Sequence, residues 1–212
     1  LRLTDALLEL GASSEQDLGA EVEARWELVE RAWEARFGAH EKLFVAYDEP
    51  TESLVSALLG KRRPWRTSVR PALNGYQRGH CFYCYRSISV RADGEDGSDV
   101  DHLLPFSSAV RGAAVDVDGV WNLVLACGPC NSAKWAFLPA RRYLDQLAAR
   151  NNWLVQSNHP LRETIMATTG ATAAQRDSCY ADAYQAVSEV AEGPWEVPAV
   201  GPFPFVEHLG EA

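Results

Sequence analysis

A mostly helical α+β fold is what this chain predicts, and three observations predict it. Apolar residues recur at helical spacing near both ends of the sequence. Between those ends, Val100-Asp101-His102-Leu103-Leu104-Pro105 and Trp121-Asn122-Leu123-Val124-Leu125-Ala126 read as two antiparallel strands, the first stopped by its proline. Two Cys-x-x-Cys pairs, Cys81/Cys84 and Cys127/Cys130, with 42 residues between them, enclose that hairpin. With 47% hydrophobic residues and seven tryptophans, the chain forms a packed core rather than a disordered coil.

The elements divide the sequence into four stretches. Residues 1–60 read as helical. Ser13 or Ser14 caps a helix to about Phe37, with Val22, Trp26, Val29, Trp33 and Phe37 as a core-packing stripe and Gly38 past its end. A second helix runs from a Thr51 cap through Leu54, Leu58 and Leu59 to Gly60. Residues 61–78 are a basic connecting segment, and residues 72–79 form a turn or two of helix. Residues 79–151 are the cysteine-bearing core, with Asp93 to Asp99 as a hairpin loop. Residues 152–212 hold a helix from about Thr172 to Glu192, then an extended tail with Pro194, Pro198, Pro202 and Pro204.

Charge separates the middle of the chain from its flanks. The net charge is −9, which taken alone speaks against a polyanionic partner. Residues 1–60 hold 13 acidic and 5 basic residues and residues 151–212 hold 8 and 2, whereas Lys61 to Ala92 hold eight basic residues and no acid. Those eight, Lys61, Arg62, Arg63, Arg66, Arg70, Arg78, Arg86 and Arg91, are interleaved with Trp65, Tyr76, Phe82, Tyr83 and Tyr85. Such a stretch suits a phosphate backbone, or else is a solvated face balanced by the acidic flanks. Trp65 either stacks on a base or covers the core.

The first 30 residues are acidic and lack an apolar signal core, and no apolar run is long enough to span a membrane, so a cytoplasmic location is expected. Paired cysteines in a reducing compartment point to metal ligands rather than disulfides. Cys81-Phe82-Tyr83-Cys84 reads as a knuckle, and Cys127-Gly128-Pro129-Cys130 delivers the second pair at a helix start, with Pro129 suited to the first turn. Four thiolates leave no open position on zinc, which makes the ion structural. Cys179 has no evident partner and packs in a helical pattern. His40, His159 and His208 read as ordinary surface residues. Because the sequence starts at Leu1 and its single methionine is Met166, it reads as part of a longer polypeptide or as a trimmed chain.

The order CFYC, VDHLLP, WNLVLACGPCNSAK resembles the HNH endonuclease family, in its zinc-bearing branch with two Cys-x-x-Cys pairs and Asn in place of the last His. The resemblance covers about 55 residues, Cys81 to Lys134, and leaves both flanks unexplained. It implies a ββα-metal core and a metal-dependent nuclease, a hydrolase acting on DNA. His102 would be the general base, Asp101 and Asn131 would hold the catalytic divalent ion, and Asn122 would tie the loop and second strand to the strand bearing the base. Asp101 carboxylate and Asn131 amide oxygen suit Mg²⁺ or Mn²⁺. Neighbouring strand residues point to opposite faces, so Asp101 and His102 share one phosphate only at the strand's end. Lys134 and, more weakly, Arg111 are candidates to neutralise phosphate, beside Lys61, Arg62, Arg63 and Arg66. A role in restriction or phage defence, with a larger polypeptide or a defence-system protein as partner, follows by resemblance. The alternative is a zinc-stabilised nucleic-acid-binding module that does not cleave, and a further rival is an interaction scaffold working through the acidic flanks.

Overall fold

Helix α1, over residues 22–30, turns a different face inward from the one its tryptophan stripe predicts. Ala24 and Leu28 are buried, whereas Val22 is 57% and Trp26 53% exposed. Two residues are about 200° of helical rotation, so the buried face lies nearly opposite the expected one. The outer face suits Trp26, whose indole N–H donates to the Glu30 carboxylate at 2.7 Å. The computed structural model describes residues 19, 22–30, 45–51, 53–56, 66–90, 97–113 and 115–205; the expected cap at Ser13 or Ser14, as well as Trp33, Phe37, His40 and His208, lie outside them.

Where a helix from Thr51 was expected, the chain forms a sheet. Strand β1 (Val45–Asp48) pairs antiparallel with β2 (Ser53–Ser56), which pairs antiparallel with β3 (Arg66–Ser68). A 3₁₀ turn, Glu49–Thr51, joins the first two. The Thr51 hydroxyl donates to the Asp48 carboxylate at 2.5 Å and so closes this hairpin instead of capping a helix. Four residues with a ladder on each side gain more from strand pairing than from a single helical turn, whose nucleation is costly. Leu58, Leu59 and Gly60 lie outside the described residues.

Helix α2 (Val69–Gln77) begins three residues earlier than expected and ends where Arg78 and Gly79 take positive φ, 50° and 69°. Strands β4 (Ser98–His102) and β5 (Leu123–Cys127) form an antiparallel pair, with Ser98 opposite Cys127 and His102 opposite Leu123. The residues expected to form a loop before β4 differ in part, since Ser98 and Asp99 already belong to the strand and residues 91–96 lie outside the described ones. After β4 come the short helix α3 (Ser107–Val110) and a 3₁₀ turn, Val120–Asn122.

Every residue of β5 is buried, and its outer edge has no further strand among the described residues. Buried backbone groups need partners, and side chains supply them here. Gln77 accepts from Leu125 N–H and donates to Leu125 C=O, each at 2.8 Å, and Phe82 N–H donates to the same carbonyl at 2.9 Å. Arg150, wholly buried, donates to the carbonyls of Leu123 and Trp121 and to the Asn151 side chain. Burial lowers its pKa to about 10.

Arg150 sits on α5 (Arg141–Gln156), which with α6 (Arg162–Thr169) was not anticipated. Helix α7 (Ala173–Ser188) was, and a capping box starts it: Thr172 hydroxyl accepts from Gln175 N–H at 3.2 Å while the Gln175 side chain accepts from Thr172 N–H at 3.0 Å. Cys179 on this helix is partly exposed. His159, between α5 and α6, is buried rather than on the surface, and burial holds its pKa down at about 3. The proline-rich tail runs over the cysteine turn. Val200 N–H donates to Cys84 C=O at 2.8 Å, and Phe205 buries itself against Tyr76 and Phe82 with ring centroids at 5.3 and 6.0 Å. No helix among the described residues is long and apolar enough to cross a membrane.

Candidate metal centre and its surroundings

Two tight pieces of backbone bring four cysteines together. Cys81 N–H bonds Arg86 C=O at 2.9 Å and Tyr85 N–H bonds Cys81 C=O at 3.1 Å, curling Cys81 and Cys84 into one turn. Cys127 ends β5, and Cys130 lies in the first turn of helix α4 (Gly128–Lys134), whose early proline suits a position that needs no N–H donor. All four side chains are buried, and their sulfurs lie within 4.8 Å of one another.

That spacing fits zinc. A tetrahedron with zinc–sulfur bonds of about 2.3 Å has sulfur–sulfur edges of about 3.8 Å, and the Cys84 and Cys127 sulfurs are 3.8 Å apart. A disulfide needs about 2.05 Å. The thiols also conflict electrically without a cation. A hydrogen bond from Cys130 above all holds Cys81 down at about 5. Burial pushes Cys127 up to about 11, and the neighbouring Cys81 sulfur drives Cys130 far higher. One thiolate therefore opposes the next, and a dication removes the opposition. Cys127 N–H donates to the Cys81 sulfur at 3.3 Å, and the nearby Cys127 and Cys84 sulfurs raise the pKa of the exposed Arg86 guanidinium. The chain thus carries a metal-binding cysteine cluster with the donor set of a closed structural site. Among the described residues it is the one convergence of three or more His, Cys, Asp or Glu side chains.

Strand alternation distributes the residues of the Asp-His motif. Asp101 turns toward α4 and the cysteine turn. Its carboxylate accepts from the Tyr83 hydroxyl at 2.5 Å and from the Lys134 ammonium at 3.0 Å. Lys134 also donates to the His102 carbonyl at 2.7 Å and is wholly buried, so its charge faces Asp101 rather than a phosphate in solvent. Burial lowers the Lys134 pKa, an effect that Asp101 partly offsets; burial and then Asp101 hold the Tyr83 phenol well above its ordinary value. Asn131, one helical turn before Lys134, donates to Asp99 at 3.1 Å.

His102 points elsewhere. Its Nε2 lies 3.1 Å from the Asp118 carboxylate, and its ring meets Tyr47 and Phe106 at centroid distances of 5.9 and 5.5 Å. Asn122, fully buried, donates to the carbonyls of Leu104 and Val117 at 2.9 and 2.7 Å and accepts from Leu104 N–H at 2.9 Å. Those bonds tie the loop before β5 to the chain leaving β4.

Asp118 and Asp99 are the partners that sequence reasoning missed. An Asp shortly before the loop-closing Asn122 was the available signal for the first, and alternation from Asp101 for the second. Of the basic candidates, Lys61, Arg62 and Arg63 lie outside the described residues, while Arg66 contributes backbone to β3. Arg70 is bound to Ser98 C=O at 2.8 Å. Arg111 is exposed and reaches Val190 C=O at 3.4 Å.

The two oxygen donors expected to hold a divalent ion are both engaged by other side chains. Both Asp101 contacts are internal, and Asn131 is turned to Asp99. Compared with known protein families, with curated proteins and with solved structures, the chain matches none of them.

Proposed function

We propose that this chain is a zinc-stapled nucleic-acid-binding module of the HNH kind. The observation that supports it is the cysteine cluster, which clamps an antiparallel hairpin and the following helix in the order in which that family places its motif. The basic stretch that leads into the cluster, eight cations without an acid, supplies the partner: a polynucleotide, with DNA the reading that the resemblance favours.

On that module we read a hydrolytic function, that of an endonuclease, because one specific contact favours it. His102 is paired through Nε2 with a half-exposed carboxylate, Asp118, at the end of the strand, an arrangement that orients an imidazole as a general base for water. The non-cleaving form is favoured in turn by Asp101, whose carboxylate is engaged by Lys134 and Tyr83 instead of facing outward with Asn131. Restriction or phage defence is the setting that the resemblance offers.

One experiment separates the two. Supercoiled plasmid incubated with the chain and Mg²⁺ or Mn²⁺ is nicked or linearised, and His102→Ala, still zinc-loaded and folded, reduces the rate by roughly 10²-fold or more. Salt-dependent binding with no cutting under either ion leaves the module and removes the nuclease. A binding response flat across a salt series removes both.

A further inference from the structure

Helix α4 ends in a residue of the wrong kind for its backbone. Trp135 has φ 46° and ψ −118°, where a glycine is the expected occupant and a bulky side chain is strained. Two hydrogen bonds lock the conformation on either side: Trp135 N–H to Asn131 C=O at 3.0 Å and Phe137 N–H to Lys134 C=O at 2.8 Å. The indole gives nothing back to the core, since Trp135 is 79% exposed. Strain kept at a residue that packs on little points to a task outside the fold.

Trp135 lines a recess of about 180 Å³ with Arg111, Ala136, Phe137 and Glu192. Arg111 and Glu192 are both exposed. The wall therefore offers an aromatic face, a guanidinium and a carboxylate. An aromatic face stacks any base, a guanidinium pairs with the phosphate that follows it, and a carboxylate accepts from an exocyclic amine. Lys134, the residue before Trp135, bonds the His102 carbonyl and so ties the end of this helix to the end of β4.

Resting on the module reading above, we propose that the Trp135–Arg111 recess seats one unpaired nucleobase of a single-stranded or opened stretch of nucleic acid, holding the strand beside the end of β4. A guanidinium beside an open aromatic face is the pair of groups that a base and its phosphate use together, which favours this occupant over a protein surface. A protein contact is an outcome that the test distinguishes.

The full chain is titrated into fluorescein-labelled single-stranded oligodeoxycytidine, whose bases carry an exocyclic amine, and into an abasic strand of equal length, with anisotropy as the readout. Trp135→Ala weakens binding to the base-bearing strand by about tenfold (~1.4 kcal/mol) and leaves the abasic strand unchanged, while Trp135→Phe stays near the parent. Arg111→Gln lowers the slope of log affinity against log salt by about one. Trp135→Gly relieves the strain, so its melting temperature rises although its binding falls. If Trp135→Ala and Trp135→Gly bind the base-bearing strand as the parent does, the recess is not a base seat, and the module stands. If they do so while the oligomeric state changes, the indole is a protein contact and the proposal is equally overturned. If the parent binds neither strand at any salt, the module reading itself has failed.

Discussion

The two ends of the β4–β5 hairpin are held by opposite means. At the Ser98–Cys127 end, four sulfurs converge from two separate turns, and their mutual opposition is relieved by one cation. At the His102–Leu123 end there is no such convergence. Asn122 holds the loop and His102 has its own carboxylate, while Asp101, one residue in from that end, is satisfied by Lys134 and Tyr83. The contrast makes the staple physically separable from the chemistry proposed for His102. One end fixes the fold whatever the other does, which leaves the histidine end free to carry a cost in function rather than in stability.

Disrupting the cysteine end has the gravest consequence. Removal of zinc by a strong chelator deletes a contribution of up to about 10–16 kcal/mol, comparable with the whole stability of a domain, and Cys84→Ser deletes part of it. Zinc content falls and the cooperative melting of the central segment is lost. An unchanged melting curve would show that the cluster is not a staple.

How much of this was legible follows from where the partners lie in the sequence. The cysteine pairs, the hairpin and the helix start near Thr172 are local or strictly spaced, and the structure has them. Helix α5 was not legible because Gln146, Arg150 and Asn151 face inward and interrupt the apolar period with polar residues. Arg150 turns in to the Leu123 carbonyl, on the edge of β5 that pairs with no further strand among the described residues, while Gln146 and Asn151 turn to the carbonyls of Phe82 and Trp121. The face of α1 was misread because Trp26 carries more weight in a pattern than Ala24, although a small residue permits closer packing. Asp118 and Asp99 stand 16 and 32 residues from the groups they meet, a distance over which spacing says nothing.

Next in size is a change at the middle of the hairpin. Lys134→Met strands the buried Asp101 carboxylate and lowers stability by about 3–5 kcal/mol, read as a shift of the denaturant midpoint. Adding Asp101→Leu to that variant restores much of the loss, since an apolar pair of similar size replaces the ionic one. A double variant no more stable than the single one would mean that the Tyr83 hydroxyl and the His102 carbonyl, left without their partners, cost as much as the stranded carboxylate.

Least change to the fold is expected at the histidine end. Asp118 is 51% exposed, so Asp118→Asn changes stability by less than about 1 kcal/mol. On the nuclease reading it slows plasmid nicking by roughly tenfold or more, because the imidazole loses the group that orients it. Equal nicking by the variant and the parent would place the base elsewhere.

The side chains along the free margin of β5 have an effect beyond the single chain. With the Leu125 amide and carbonyl engaged by Gln77 and the Leu123 carbonyl by Arg150, that margin offers no template onto which a neighbouring molecule can lay an extended segment. Runaway sheet growth is closed off there, and an association between copies at that margin must use side-chain surfaces instead.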